Sequence, residues 1–347
     1  RSSHRSPQPL TPMYTLLRIL KWTGIILLIV AFILVAAVFS RQDLQFEAPL
    51  PELHASMDSA VIAHGEYLVN GPAHCSGCHT DNAHEAAYLR GETVPMHGGY
   101  AFKLPVGTVF SKNITNNQEH GIGRLTDPEI ARTLRYGVGS DGRAILDFMP
   151  YYMLSDEDLT AVISYLRTLP GNAHAVPADD LNFIGKAVKA FLIKPAGPLG
   201  TERPKGMRPD TTAAYGEYLA NSVANCVGCH TARDLMTGAF TGKPFAGWMN
   251  MEGNVPGTFF NTPNLTPEPT TGHLANWTFE VFQARFRSGP VFPESPMPWA
   301  SFRRSPIRSK RPCGPIASPP PARAGRALGR CSAACASAWA AARAATG

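Results

Sequence analysis

Two short runs carry residue types that can do chemistry: Cys75-Ser76-Gly77-Cys78-His79 and Cys226-Val227-Gly228-Cys229-His230. Each places two thiols three positions apart, with an imidazole directly after the second. Two thiols at that spacing on a tight turn reach the two vinyl edges of one porphyrin, and the following histidine then sits beneath the iron. C-x-x-C-H is for that reason the attachment signature of c-type haem. C-x-x-C is also half a zinc site, but zinc usually draws four ligands from two such halves and gives no reason for a histidine after each pair. Cys75, Cys78, Cys226 and Cys229 are therefore expected to bond two haem c groups, with His79 and His230 as the proximal iron ligands.

What fills the opposite face of each iron decides between electron transfer and reactivity. Met149 lies 70 residues after His79 and Met297 lies 67 after His230, both inside Met-Pro-aromatic. A methionine there closes the iron and raises its potential. Single methionines are more often core filler, and Met96, Met153, Met236, Met249 and Met251 are read that way. His74, His84, His97 and His120 are rival distal ligands for the first haem, but none has a counterpart in the second half. The expected metal ligands are thus His79, Met149, His230 and Met297. Iron closed on both faces has no open position for peroxide or oxygen, so the expected function is passing single electrons, with no catalytic residues. A dihaem cytochrome c peroxidase is the alternative, and it needs one iron that is, or becomes, five-coordinate or histidine-ligated. A haem sensor would likewise need a ligand-exchangeable iron.

The elements that hold these residues repeat at an offset of 151. Gly65-Glu66-Tyr67-Leu68 recurs as Gly216-Glu217-Tyr218-Leu219, Cys75 as Cys226, Asn113-Ile114-Thr115 as Asn264-Leu265-Thr266, Gly121 as Gly272 and Glu129 as Glu280. The Asn-x-Thr triplets have the form of glycosylation acceptors, but their common offset makes them part of a duplicated fold. Val61, Tyr67 and Leu68 predict a short helix over 57–69 leading into the first cysteine turn. Ser155 as cap, Asp156, Glu157 and Asp158 in the first turn, and Leu159, Val162, Ile163 and Leu166 at helical spacing predict a second, ended by Pro170-Gly171.

The formal charge of +6 invites a nucleic-acid reading, yet residues 305–347 alone carry seven basic side chains and no acid. The remainder is nearly neutral and has no aromatic-rich basic motif, which excludes nucleic acid as a partner. Gly121-Ile122-Gly123 fits neither nucleotide-binding glycine pattern. The chain has 31 prolines and 31 glycines in 347 residues, predicting many loops around cofactors that supply part of the core.

From Trp22 to Ser40 there are nineteen residues without a charge, about the length that crosses a bilayer core. Arg18 and Lys21 flank its amino side, and Asp43, Glu47 and Glu52 follow. The positive-inside rule then puts residues 41 onward outside the cytoplasm, the side on which haem is attached to cysteines. A cleaved signal peptide is the alternative, with a shorter apolar run. The expected location is the bacterial inner membrane, single-pass, with the haem domains in the periplasm.

The resulting division is a cytoplasmic 1–18 with Met13 as the expected start, a transmembrane helix over 19–40, a first domain at 57–170, a linker at 171–210, a second domain at 211–304 and a tail at 305–347. In the linker, Leu181, Ile184, Val188 and Phe191 share one helical face away from Lys186, Lys189 and Lys194. This predicts an amphipathic helix packed on the haem domains, with a membrane surface as the other option. The tail holds the three remaining cysteines, Cys313, Cys331 and Cys335, and almost no large apolar residue. Its composition matches GC-rich codons read out of frame, so a departure from the ancestral reading frame is expected from about Ser305, with a genuine disordered tail as the alternative. On this reading the lead-in of the second copy, Tyr215 to Ala220, has no downstream helix to cover it, and the second domain is less stable than the first.

Several of these motifs together, Gly65-Glu66-Tyr67-Leu68 before Cys75-Ser76-Gly77-Cys78-His79, Gly107-Thr108-Val109-Phe110-Ser111-Lys112-Asn113-Ile114-Thr115, Gly121-Ile122-Gly123, Met149-Pro150-Tyr151 and Leu154-Ser155-Asp156-Glu157-Asp158-Leu159, resemble the bacterial multihaem cytochrome c subunits of membrane-bound alcohol, gluconate and aldehyde dehydrogenases. The match covers about residues 60 to 304. The resemblance implies an electron relay from the catalytic subunit of a periplasmic dehydrogenase towards quinone, another cytochrome or an oxidase. Those subunits commonly carry three haems; this chain has two attachment motifs and an amino-terminal anchor. The fold class expected is mainly α, two tandem cytochrome c-like domains behind one N-terminal transmembrane helix.

Overall fold

The computed structural model describes residues 12–197, 203–207, 209–210, 212–234, 240–252 and 257–288. Met236, Met297 and the tail from Ser305 with its three cysteines lie outside the described residues. The apolar amino-terminal stretch forms one helix, α1 (Pro12–Arg41). Within Tyr14–Arg41 an 18-residue stretch has a mean hydropathy of 2.8 and almost all of it is exposed, so the helix is long and apolar enough to cross a bilayer.

After α1 the chain runs through α2 (Ser59–Asn70), the single turn α3 (Cys75–Cys78), α4 (Glu85–Leu89), strands β1 (Ala101–Leu104) and β2 (Gly107–Phe110), and helices α5 (Asp127–Tyr136) and α6 (Asp156–Leu166). Strand β3 (Asp180–Leu181) and α7 (Phe183–Phe191) follow. The second half contains α8 (Ala213–Tyr218), continued by a π-helical turn over Leu219–Val223, then α9 (Cys226–His230), β4 (Trp248–Glu252), β5 (Phe259–Thr262) and α10 (Phe279–Ser288). Among the described residues helices make up most of the regular structure, in line with the mainly α expectation.

The two helices expected around the first motif are both present. Asp58 caps α2, accepting from the Ala60 N–H at 2.8 Å, and Ser155 caps α6, accepting from the Asp158 N–H at 3.1 Å. Between them α5 starts with a capping box, Thr126 and Glu129 each satisfying the other's backbone N–H. The fully buried Leu68 and Val69 of α2 share one core with Leu159, Val162, Ile163 and Leu166 of α6. The crossing is close because Gly65 has no side chain: a Cβ there would stand 1.9 Å from the Ala161 carbonyl oxygen and 2.9 Å from the Tyr165 Cβ. Gly65→Ala is therefore expected to lower the unfolding free energy by about 1–3 kcal/mol or more, read as a fall in the thermal midpoint of the purified protein, because backbone rather than a flexible side-chain end must move.

No strand is legible in the sequence, although a mainly α fold admits short ones. Each of β1, β2, β4 and β5 has only four or five residues, too short for a period-2 pattern to register. They form a three-stranded antiparallel sheet in the order β1-β2-β3 and a separate β4-β5 pair. Gly107 (φ 129°) lets β3 lie close against β2, since a Cβ there would meet the Asp180 carbonyl oxygen at 2.3 Å.

One further expectation changes. The lead-in of the second copy is covered: Tyr215, Tyr218, Leu219 and Val223 are buried in the same core as Leu159 and Val162. The Tyr218 hydroxyl donates to Asp158 Oδ2 at 2.7 Å and accepts from the Ser155 N–H at 3.0 Å, and Asp158 Oδ1 pairs with His64 Nε2 at 2.6 Å. The physical reason is that α6 is buried around most of its circumference, at Asp158, Leu159, Ala161, Val162, Ile163, Ser164 and Leu166. One helix thus serves both lead-ins.

The linker helix α7 meets the first domain at its amino end, where Asn182 Nδ2 donates to the Pro105 carbonyl oxygen at 3.0 Å and Gly185 comes against Val106, but much of its apolar face stays uncovered. Gly185 and Ala190 are buried, whereas Phe183, Ile184, Phe191 and Leu192 are exposed. The helix also rests at the end of α1, with Arg41 over the Phe191 ring at 5.4 Å and Lys186 over Phe39 at 5.6 Å. Asp43, just past α1, pairs with Arg143 at 2.8 Å and approaches Lys189 at 3.6 Å.

Candidate haem-attachment sites

The two cysteine turns share one geometry. The residue before each first cysteine is left-handed, His74 at φ 43° and Asn225 at φ 48°, which bends the chain sharply out of the lead-in helix and into α3 or α9. His79 Nδ1 is bonded to the Lys112 carbonyl oxygen at 2.7 Å, and His230 Nδ1 to the Pro263 carbonyl oxygen at 2.9 Å, each 33 residues downstream. A hydrogen bond at Nδ1 fixes the tautomer and leaves Nε2 as the ligand atom, the usual arrangement at metal-bound imidazoles.

The repeated Asn-x-Thr triplet builds the carbonyl partner. Asn113 Oδ1 accepts from the Thr115 N–H at 3.0 Å and its hydroxyl at 2.7 Å, and Asn264 Oδ1 does the same with Thr266 at 2.9 and 2.7 Å. These turns hold the preceding residues, Lys112 and Pro263, in place. Gly98 and Gly247 donate their N–H groups to the His79 and His230 carbonyls, each at 2.8 Å. The triplet's structural role agrees with the sequence reading. Its service to the histidine was not foreseen, although its constant distance from the motif was visible.

Cys75, Cys78, Cys226 and Cys229 are all unpaired. As free thiols they are neutral: burial pushes Cys75 up to about 12 and Cys78 up to about 11, Cys226 up to about 12 and Cys229 upward as well. Such groups are poor nucleophiles and suit no thiolate catalysis. Burial holds both His79 and His230 below the ordinary imidazole value, against the opposing effect of their carbonyl bonds, which keeps the rings neutral and able to donate a lone pair.

Met149 is partly buried and packs on the same core as Cys75. Two residues on, the buried Tyr151 hydroxyl donates to the Ala73 carbonyl oxygen, two residues before Cys75. The Met-Pro-Tyr loop is thereby tied to the first cysteine turn, and the donor set of two thiols, one imidazole and one thioether beside an apolar core fits a haem c. The other methionines divide: Met96 and Met251 are buried as core filler, but Met249 is 67% exposed, at a strand position facing outward. Of the rival histidines, His74 bonds to Pro72 O and His120 lies beside Glu119, while His84 and His97 turn to Asp81.

Residues 62–170, which span the first cysteine turn, α5, the Met149 loop and α6, match the family model for cytochrome c. This segment is a cytochrome c domain. Over 247 residues the chain is 30% identical to the cytochrome c subunit of the quinone alcohol dehydrogenase of Gluconobacter oxydans, covering 67% of this chain and 48% of that one. It is 28% identical to the fructose dehydrogenase cytochrome subunit of Gluconobacter japonicus, covering 66% and 45%. With a diheme cytochrome c-type protein of Cereibacter sphaeroides it shares 27% identity over 69% of this chain and 79% of that one. The chain spans about half the length of the two dehydrogenase subunits. Within this domain Cys75 packs on the core that α2 and α6 build.

Proposed function

We propose that the chain is a membrane-anchored dihaem electron carrier of two tandem cytochrome c domains, over 57–170 and 211–304, taking electrons from a periplasmic dehydrogenase subunit and passing them towards quinone or an oxidase chain. The observation that carries this reading is the pair of histidines whose Nδ1 atoms meet a carbonyl 33 residues downstream, His79 at Lys112 and His230 at Pro263. Cys75 and Cys78 would hold the first haem, Cys226 and Cys229 the second. His79 with Met149, and His230 with Met297, would ligate the irons. When bound, each haem supplies a one-electron carrier. The chain's own part is to fix the imidazole tautomer through Lys112 O and Pro263 O, hold Met149 near the turn through Tyr151, and exclude water with the α2–α6 core.

The relatives' names support a dehydrogenase partner, and α1, with Arg18 and Lys21 in its amino-terminal part, supports a bacterial inner-membrane location with the body in the periplasm. A reductive titration of the haem-loaded protein should take up two electrons per chain, both centres showing methionine-ligated low-spin spectra, with negligible hydrogen peroxide turnover. Uptake of one electron, or peroxide turnover at enzymatic rates, would replace the dihaem carrier with a monohaem protein or a peroxidase.

A further inference from the structure

Close to the first cysteine turn, three side chains converge that electron transfer does not use. Asp81, His84 and His97 place one ligand atom each within 4.8 Å of one another. Ligands on one zinc, at about 2.0–2.1 Å each, stand at most about 4 Å apart, so closure takes side-chain adjustment alone, and His84, with 41% of its side chain in solvent, is the most exposed of the three.

The arrangement of hydrogen bonds is that of a ligand set. His97 is buried, and its Nδ1 meets the Gly98 carbonyl oxygen at 3.0 Å, which turns Nε2 towards Asp81. That nitrogen stands 3.7 Å from Asp81 Oδ2, too far for a hydrogen bond and with room for an ion between them. His84 Nδ1 lies 2.6 Å from Asp81 Oδ1, which also accepts from the His84 N–H at 3.0 Å. A third imidazole, His174, packs on His97 with ring centroids 4.6 Å apart. In the second half the offset of 151 sets Ala232 and Leu235 at the positions of Asp81 and His84, and the match of Gly98 with Gly247 sets Ala246 at that of His97; none of these can ligate.

We propose that Asp81, His84 and His97 bind one divalent transition-metal ion, with zinc the best match, beside the first attachment site alone. Two imidazoles and one carboxylate suit zinc; calcium and magnesium require sets made mainly of oxygen. The ion would cross-link residues 81, 84 and 97 into one loop. Gly98 donates to the His79 carbonyl, so that loop is fastened to the proximal histidine of the first turn. The site depends on nothing in the choice of electron donor or acceptor.

The test uses the full, haem-loaded, untagged chain, treated with chelator and dialysed. Zinc titration calorimetry and elemental analysis after dialysis should give one zinc per chain beyond the haem iron, not displaced by excess magnesium or calcium. His84→Ala, at an exposed position, should weaken zinc binding at least about tenfold while leaving both haem spectra unchanged. Failure of the wild-type chain to retain zinc overturns the site whatever the variant does. Equal stoichiometry and affinity in His84→Ala overturns it too, since the ion would then be elsewhere.

Discussion

Met149→Ala is expected to remove the methionine-ligated signature of one centre and leave the other intact. Axial ligands move haem potentials over about 0.8 V, and loss of a thioether lowers the potential, so that centre should titrate at a distinctly lower potential, on the order of 0.1 V or more below its wild-type value. The expectation rests on Met149 packing on the same core as Cys75 and on the Tyr151 hydroxyl bonded to Ala73, which binds the loop to the cysteine turn. Met57→Ala, at a position 92% exposed, is the control and should change neither centre. Spectra and redox titrations of the two variants decide it: two unaltered centres in Met149→Ala would take the sulfur ligand away from this residue.

The second large effect concerns Asp158. Its carboxylate is almost wholly buried and shared by three elements, meeting His64 of α2 at 2.6 Å and Tyr218 of α8 at 2.7 Å from within α6. Asp158→Ala removes the common acceptor and leaves a buried phenol and a half-buried imidazole facing a cavity. Breaking a buried polar pair on one side costs about 3–5 kcal/mol, a large share of the roughly 5–15 kcal/mol that hold a domain together. Chemical denaturation of Asp158→Ala should show a loss of about 3 kcal/mol or more, and Tyr218→Phe, which removes one hydrogen bond, about 1–2 kcal/mol. The double variant should cost less than the two losses combined, because the residues act through one contact. Strict additivity would mean that the two copies are held together by apolar packing alone.

Much of the site was legible because its chemistry is local in sequence. Cys75 to His79 and Cys226 to His230 need only adjacency, and Ser155 followed by three acids needs only the rules of helix capping. The carbonyl partners at Lys112 and Pro263 were hidden because a backbone oxygen has no residue type to read. The strands escaped because four residues carry no periodicity. The burial of Tyr215 and Tyr218 escaped for another reason: α6 is apolar on more than one face, and its helical spacing was read as a single stripe. The amphipathic pattern of α7 matches its contact with the first domain at Pro105 and Val106, but spacing alone does not tell that Phe183, Ile184 and Phe191 stay exposed. The cluster of Asp81, His84 and His97 lay in plain sight as residue types, but only the fold brings residue 97 back beside residue 81.

The ties around Asp43 reach beyond stability. An anchor that left the body on a loose linker would let the domains tumble and present any face to a partner. Here the chain leaving α1 is fastened to Arg143 and Lys189, and α7 leans on Phe39 and Arg41. With α1 in a bilayer, the body loses most of its rotational freedom and keeps lateral drift and spin about the membrane normal. Its encounters with other membrane proteins then become a search in two dimensions at a set height, in which the same rim always faces a neighbour. These surface pairs weaken with salt, so raising ionic strength should loosen that orientation before it touches the fold.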